Sequence, residues 1–238
     1  MNKQDFAKTT AWVFDLDNTL YPPSYNIAAL IDVRITQFIV CHLKLSRKEA
    51  FDLQKTYWRK YGLTLIGLMK KHGINANDYL EFTHDIDIDY IKPNPALQNA
   101  LARLTGAKYI FTDSTRQYAE KITYQLGIAH HFDGIFDICD ADYTPKPNKQ
   151  IYEKMLTHFG LVPQQVAFFE DIARNLAPAH ALGMRTIWLR WPRDNDADKT
   201  RPYYDMQAHA DSANAPQTHI DYIIEDLVAF LDKLTDNR

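Results

Sequence analysis

Ala11–Leu16 (AWVFDL) is a short apolar run closed by acidic residues, the pattern of a strand buried on both faces. Pro22-Pro23 then halts regular structure. From Ser24 to about Ile91 the period changes. Ile27, Leu30, Ile31, Ile35 and Phe38 recur at helical spacing and predict an amphipathic helix. Ser46 followed by Glu49 predicts a capping box at the start of a second helix. Gly62 and Gly73 bracket a third, built on Leu65, Ile66, Leu68 and Met69. Lys92-Pro93-Asn94-Pro95 closes the region, because prolines this dense do not sit inside a helix.

After Pro95 the pattern alternates between strand and helix. Lys108–Thr112, Gly134–Ile138, Val166–Glu170, Arg185–Leu189 and Asp221–Ile224 read as strands. Strands alternating with helices imply parallel pairing through crossovers, hence an α/β fold with a doubly wound parallel sheet. Its first strand is separated from the rest by an all-helical insertion. The expected organisation is a core of residues 1–21 and 95–238 and a helical unit of residues 22–94. His130-His131 is expected to end a helix, where a cation suits the dipole. The polar stretch from Trp191 to His219 lacks periodicity and reads as a solvated excursion.

Bulk properties narrow the function classes. The formal net charge is −3, so no global field favours a nucleic-acid polymer. Cys41 and Cys139 sit in no metal-ligand spacing and suggest no disulfide framework, which makes a reducing cytoplasm the expected compartment. The N-terminal segment has no apolar core of a signal peptide. The most apolar helical stretch, Ile27 to Cys41, is interrupted by Asp32 and Arg34 and is too short to span a membrane. Oligomeric state is not legible in the sequence.

In a doubly wound sheet, ligands bind beyond the carboxyl ends of the strands. The polar residues expected there are Asp15, Asp17, Asn18 and Thr19 after the first strand, and Thr112, Asp113 and Ser114 after the second. Lys146 follows the third, and Glu170-Asp171 the fourth. Carboxylates without histidine partners suit a hard cation, Mg²⁺ above all, which would offset their mutual repulsion. A carboxylate can attack phosphorus, and a lysine and a hydroxyl can hold the phosphoryl oxygens.

These residues resemble the motifs of the haloacid dehalogenase (HAD) superfamily, a Rossmann-like core with, in one branch, an all-helical cap after the first strand. FDLDNTL (Phe14–Leu20) is similar to its first motif, Thr112 to the second, Lys146 to the third, and Glu170-Asp171 with Asn175 to the acidic fourth. A lone Asp-x-Asp after a strand is usually a solvated turn; four motifs in order, each at a strand end, are specific. The resemblance implies a phosphate-monoester hydrolase with Asp15 as nucleophile and Asp17 as acid and base. Mg²⁺ would be held by Asp15, the Asp17 backbone carbonyl and Asp171. Leu16, Thr112, Asp113 and Lys146 would bind the phosphoryl group, and Glu170 and Asn175 would stand behind the site. Asp17 also argues against a haloalkanoic acid dehalogenase, which does not need that second acid.

The wording FDLDNTLYP, YWRKYGLTLIGLM, HDIDID, YTPKPN and FFEDIARN resembles pyrimidine 5′-nucleotidase-like members. It implies a small-molecule phosphate substrate, UMP or CMP first, with a broader sugar- or metabolite-phosphatase or a phosphomutase as alternatives. In the helical insertion, Tyr61 is a candidate to stack on a base and Thr64 to hydrogen-bond it, against the commoner role of such residues in packing. Asp113, where relatives often carry Asn, and Ser114 are read as caps of the following helix. A receiver-like phospho-acceptor is the rival from another class, but receivers are shorter, lack the cap and lack the second Asp.

Overall fold

The computed structural model describes residues 3–191 and 218–235, so most of the polar stretch between Trp191 and His219 lies outside the described residues. The chain divides into two compact units, Met1–Tyr25 with Ile91–Arg238, and Asn26–Tyr90. The first opens with β1 (Ala11–Phe14). The second holds α1 (Ile27–Leu43), α2 (Arg47–Tyr61), α3 (Thr64–His72) and α4 (Ala76–His84). The chain returns to the first unit with α5 (Pro95–Arg103), β2 (Ala107–Phe111), α6 (Arg116–Gln125), β3 (Gly134–Phe136) and α7 (Lys149–Phe159). β4 (Val166–Glu170), α8 (Ala173–Leu182), β5 (Arg185–Leu189), β6 (Tyr222–Ile224) and α9 (Leu227–Thr235) complete it.

The described strands form one parallel sheet in the order β3-β2-β1-β4-β5-β6. This is the doubly wound α/β architecture expected from the alternation. Every residue of β1 is buried, because both faces of the sheet are covered. On one face Val13, Phe111, Phe136 and Phe168 share a core with Tyr152 and Met155 of α7 and Leu176 of α8. On the other, Phe14 stacks on Phe169 with ring centroids 4.7 Å apart, and Phe169 meets Phe230 of α9 at 5.9 Å. In register, Phe14 lies opposite Ile110 and Phe169. The residues that follow β1, β2 and β4 therefore emerge side by side at one edge. Gly106, at φ +93, lets β2 enter beside β1: a Cβ there would lie 2.4 Å from the Thr10 carbonyl oxygen.

β1 and β3 each stop two residues short of their expected ends. The Asp15 N–H still donates to the Phe169 carbonyl at 2.9 Å. The Leu16 carbonyl, however, accepts from Thr19 and Leu20, and Asn18 takes a left-handed φ of 59, so the chain turns. After Phe136 the Asp137 carboxylate accepts from the Arg116 and Asp140 N–H groups, and that turn replaces ladder pairing. His130-His131 does end a helix, but a short one: α6 stops at Gln125, and the pair closes the 3₁₀ helix Ala129–His131.

In the second unit the capping box at the head of α2 is complete. The Glu49 N–H donates to Ser46 Oγ at 3.3 Å and the Ser46 N–H to Glu49 Oε2 at 2.9 Å. Gly62 and Gly73 stand just beyond α2 and α3, as expected of helix ends. Between α1 and α2, Asp32 Oδ1 accepts from Gln54 Nε2 at 2.6 Å and Lys55 Nζ at 2.5 Å, so the polar groups in this helix packing are satisfied. Among the described residues no helix is long and apolar enough to cross a membrane.

Candidate active site

The carboxyl ends of β1, β2 and β4 and the loop after β3 bring Asp15, Thr112, Lys146 and Glu170 together. Lys146 Nζ donates to Asp15 Oδ1 at 2.6 Å, to Glu170 Oε2 at 2.7 Å and to the Phe111 carbonyl at 3.2 Å. All three ammonium protons are thus engaged, and the lysine side chain is only 2 % exposed. Burial alone would lower its pKa, but Asp15, Glu170 and Asp113 together hold it well above the usual lysine range. The Lys146 N–H donates to both oxygens of Asp113, at 3.1 and 3.2 Å, which fixes the Lys146 loop against the end of β2.

That contact corrects the expected role of Asp113 as a helix cap. Thr115 caps α6 instead, its hydroxyl accepting from the Tyr118 N–H at 3.3 Å. Ser114 does not cap either; its hydroxyl donates to Asp17 Oδ2 at 2.9 Å. Thr112 donates its N–H to the Phe136 carbonyl and accepts the Ser114 N–H on Oγ1, which leaves its own O–H proton to donate elsewhere.

Asp15, Glu170 and Asp171 each offer a carboxylate oxygen, all within 4.8 Å of one another. Burial, then repulsion from Glu170, drives Asp15 well above the ordinary carboxylate range despite Lys146. Burial, Glu170 and Asp15 do the same to Asp171. An all-oxygen set carrying more negative charge than one lysine can balance fits a hard divalent cation. Glu170, expected only behind the site, is a member of this set, although its Oε1 also accepts from the Ile172 N–H at 3.1 Å. Asn175 is 4 % exposed, with Oδ1 unpartnered among the described residues.

Asp113 is pushed up to about 6 by burial, against the pull of Lys146. A raised carboxyl contributes its stability below the ordinary aspartate range, and that contribution is lost as pH climbs through about 6. Asp113→Asn keeps an acceptor for the Lys146 N–H but cannot ionise. In chelator, thermal melts are expected to show the two proteins equal at about pH 4, with the variant ahead by on the order of 2 kcal/mol once the pH passes about 6.

At this edge the fold also brings in aromatic residues to which the sequence pattern assigns no role. Tyr21 donates to Asp17 Oδ1, and Tyr118 donates to the same oxygen at 2.9 Å. Burial and the charge of Asp17 hold the Tyr21 hydroxyl well above its ordinary range. Two indoles grip the acidic loops through their backbone: Trp188 Nε1 donates to the Asp171 carbonyl at 2.8 Å and Trp191 Nε1 to the Asn18 carbonyl at 2.6 Å. Tyr21 does follow the first motif directly, and Ser114 and Tyr118 stand four apart just after the second. The tryptophans carry no comparable sequence signal.

Tyr61 and Thr64 belong to the second unit. Thr64 is 4 % exposed and its hydroxyl donates to the Gln54 carbonyl at 3.1 Å, so its proton is committed within that unit. Tyr61 is flanked by the ammonium groups of Lys60 and Lys70 and packs against Tyr57 at 5.8 Å. Both contacts favour packing over base reading.

A family model described as haloacid dehalogenase-like hydrolase matches residues 9–183. "Phosphate metabolism protein 8" of Saccharomyces cerevisiae is 32 % identical over 190 residues, which cover 72 % of this chain and 58 % of that protein. The chain thus spans little more than half the length of that relative. Among solved structures, the L-2-haloacid dehalogenase of Xanthobacter autotrophicus with chloropropionic acid covalently bound shares the fold at a TM-score of 0.58 and 15 % identity. That likeness covers 97 % of this chain and all of the other. An HAD phosphatase from Thermococcus onnurineus also gives 0.58, at 18 % identity, over 95 % and 97 % of the two chains. The two neighbours carry different chemistries on one fold, so the choice between them falls to the site residues.

Proposed function

The chain belongs to the haloacid dehalogenase-like hydrolases, and from that premise we propose that it hydrolyses phosphate monoesters through a phosphorylated Asp15. The observation that carries the reading is the buried Asp15–Lys146–Glu170 arrangement, joined at the same edge by a second aspartate, Asp17. The Asp15 carboxylate attacks phosphorus, forming an acyl phosphate as the ester P–O bond breaks. Asp17 gives its proton to the departing oxygen. A water then attacks phosphorus and passes a proton back to Asp17, releasing phosphate and restoring the Asp15 carboxylate. The Lys146 ammonium would exchange one of its three present bonds for a phosphoryl oxygen, and the Thr112 hydroxyl would donate to another, with Leu16 and Asp113 lining the same site. Glu170 fixes the lysine in place.

Asp15, Asp171 and the Asp17 backbone carbonyl would hold Mg²⁺, with Glu170 and Asn175 beside them. The ion would neutralise charge on the phosphoryl oxygens and between the carboxylates. We assign the leaving group to small metabolites, nucleoside monophosphates first and pyrimidine nucleotides foremost among them, on the phrases shared with that branch. The helical unit is the proposed source of that selectivity.

The test is phosphate release from UMP, CMP, AMP and a panel of sugar phosphates, with Mg²⁺ and with chelator. Release is expected only with Mg²⁺. Asp171→Asn is expected to raise the Mg²⁺ concentration needed for half-maximal rate by at least about tenfold. Full activity in chelator would remove the metal from the mechanism. Isomerised sugar phosphate without free phosphate would make the protein a mutase, and phosphorylation without turnover would make it a phospho-acceptor.

A further inference from the structure

We infer that Tyr21, Ser114 and Tyr118 are positioning residues that hold the Asp17 carboxylate for proton transfer, with Oδ2 as the oxygen that carries the proton. This rests on the phosphatase reading. Three hydroxyls from three separate segments converge on one carboxylate: Tyr21 from the turn after β1, Ser114 from the end of β2, and Tyr118 from α6. Tyr21 and Tyr118 are 2 % and 3 % exposed, and their hydroxyls lie 3.2 Å apart.

The two oxygens of Asp17 are not equivalent. Oδ1 accepts from both tyrosines, which fills its two lone-pair positions. Among the described residues Oδ2 accepts only from Ser114, so it keeps capacity for one more partner. Rotating the carboxylate to exchange the two oxygens would break all three bonds. The clamp thus selects one oxygen and one orientation.

The donors are also of a suitable kind. A hydroxyl donates or accepts as required. When Asp17 carries its proton on Oδ2, the tyrosines still donate to Oδ1, and the Ser114 hydroxyl can turn. The clamp therefore holds Asp17 in one place through both halves of the cycle, in which it first gives up a proton and then regains it.

The test compares two esters of different leaving-group acidity. 4-Nitrophenyl phosphate has a leaving group that needs little protonation, whereas phenyl phosphate needs more. The kinetic constant is kcat/KM, which reports the steps up to formation of the acyl phosphate. Tyr118→Phe and Ser114→Ala are each expected to lower the phenyl-to-nitrophenyl ratio of kcat/KM by about tenfold or more. Any fraction of misfolded protein lowers both rates equally and cancels in the ratio, so a folding defect cannot imitate the result. An active wild type whose ratio does not move in either variant overturns the clamp alone. A wild type that releases phosphate from neither ester overturns the clamp and the phosphatase reading together.

Discussion

Asp15→Asn is expected to lower phosphate release by at least about 10⁴-fold with KM little changed, because it removes the atom that forms the covalent bond rather than one that binds substrate. The amide oxygen is a poor nucleophile, and Glu170, which shares Lys146 with Asp15, is already held there and on the Ile172 N–H. The same change is expected to raise the unfolding temperature in chelator at neutral pH. Asp15 lies well above the ordinary carboxylate range because burial and Glu170 outweigh Lys146. A group raised in this way contributes its stability at low pH and loses it as pH rises. An uncharged Asn escapes that loss, while Lys146 keeps Glu170 as a partner. A dead enzyme more stable than its parent is what a site built for function at the expense of stability would give. Steady-state rates and thermal melts of the same preparation check both halves.

Lys146→Met has the opposite signature. It is expected to cost both activity and fold, because it strands Asp15 and Glu170 in an interior where, among the described residues, no other cation is bonded to them. Breaking a buried ion pair by removing one partner typically costs about 3–5 kcal/mol. Lys146 is held well above its ordinary range, so its contribution to stability persists across the whole physiological pH window and fades only in strong alkali. The loss on substitution should shrink towards acid pH, where its carboxylate partners protonate. The rate should fall by about 10²–10³-fold, the usual effect of removing one charge-stabilising donor. Melts at neutral and acid pH, with kcat/KM beside them, separate the two effects.

The sequence made the edge of the sheet legible because parallel strands buried on both faces leave continuous apolar runs, and the polar residues after them stand out. Asp15, Thr112, Lys146 and Glu170 come together where the register of β1, β2 and β4 puts them. What the pattern could not give was the destination of each side chain. Asp113 and Ser114 precede a helix, and composition alone favours capping. In the fold Thr115 takes the cap, which frees Asp113 for the Lys146 backbone and Ser114 for Asp17. Tyr118 is indistinguishable in sequence from an aromatic that packs, because its partner is about 100 residues away in the chain. Trp188 and Trp191 reach the acidic loops through backbone carbonyls, which have no sequence signature at all. Beyond β1 and β3 hydrophobicity continues through Leu16 and Ile138 while the backbone has already turned, so the apolar pattern extends past both strands.

The most direct test is chemical trapping at Asp15. The protein is quenched in acid at a series of times during turnover of a phosphate monoester with Mg²⁺, and then treated with borohydride, which reduces an aspartyl phosphate to homoserine. Peptide mass spectrometry is expected to find homoserine at position 15, only in samples that contained substrate. Rapid phosphate release with Asp15 unmodified at every quench time, or with the modification on another residue, would contradict Asp15 as the nucleophile.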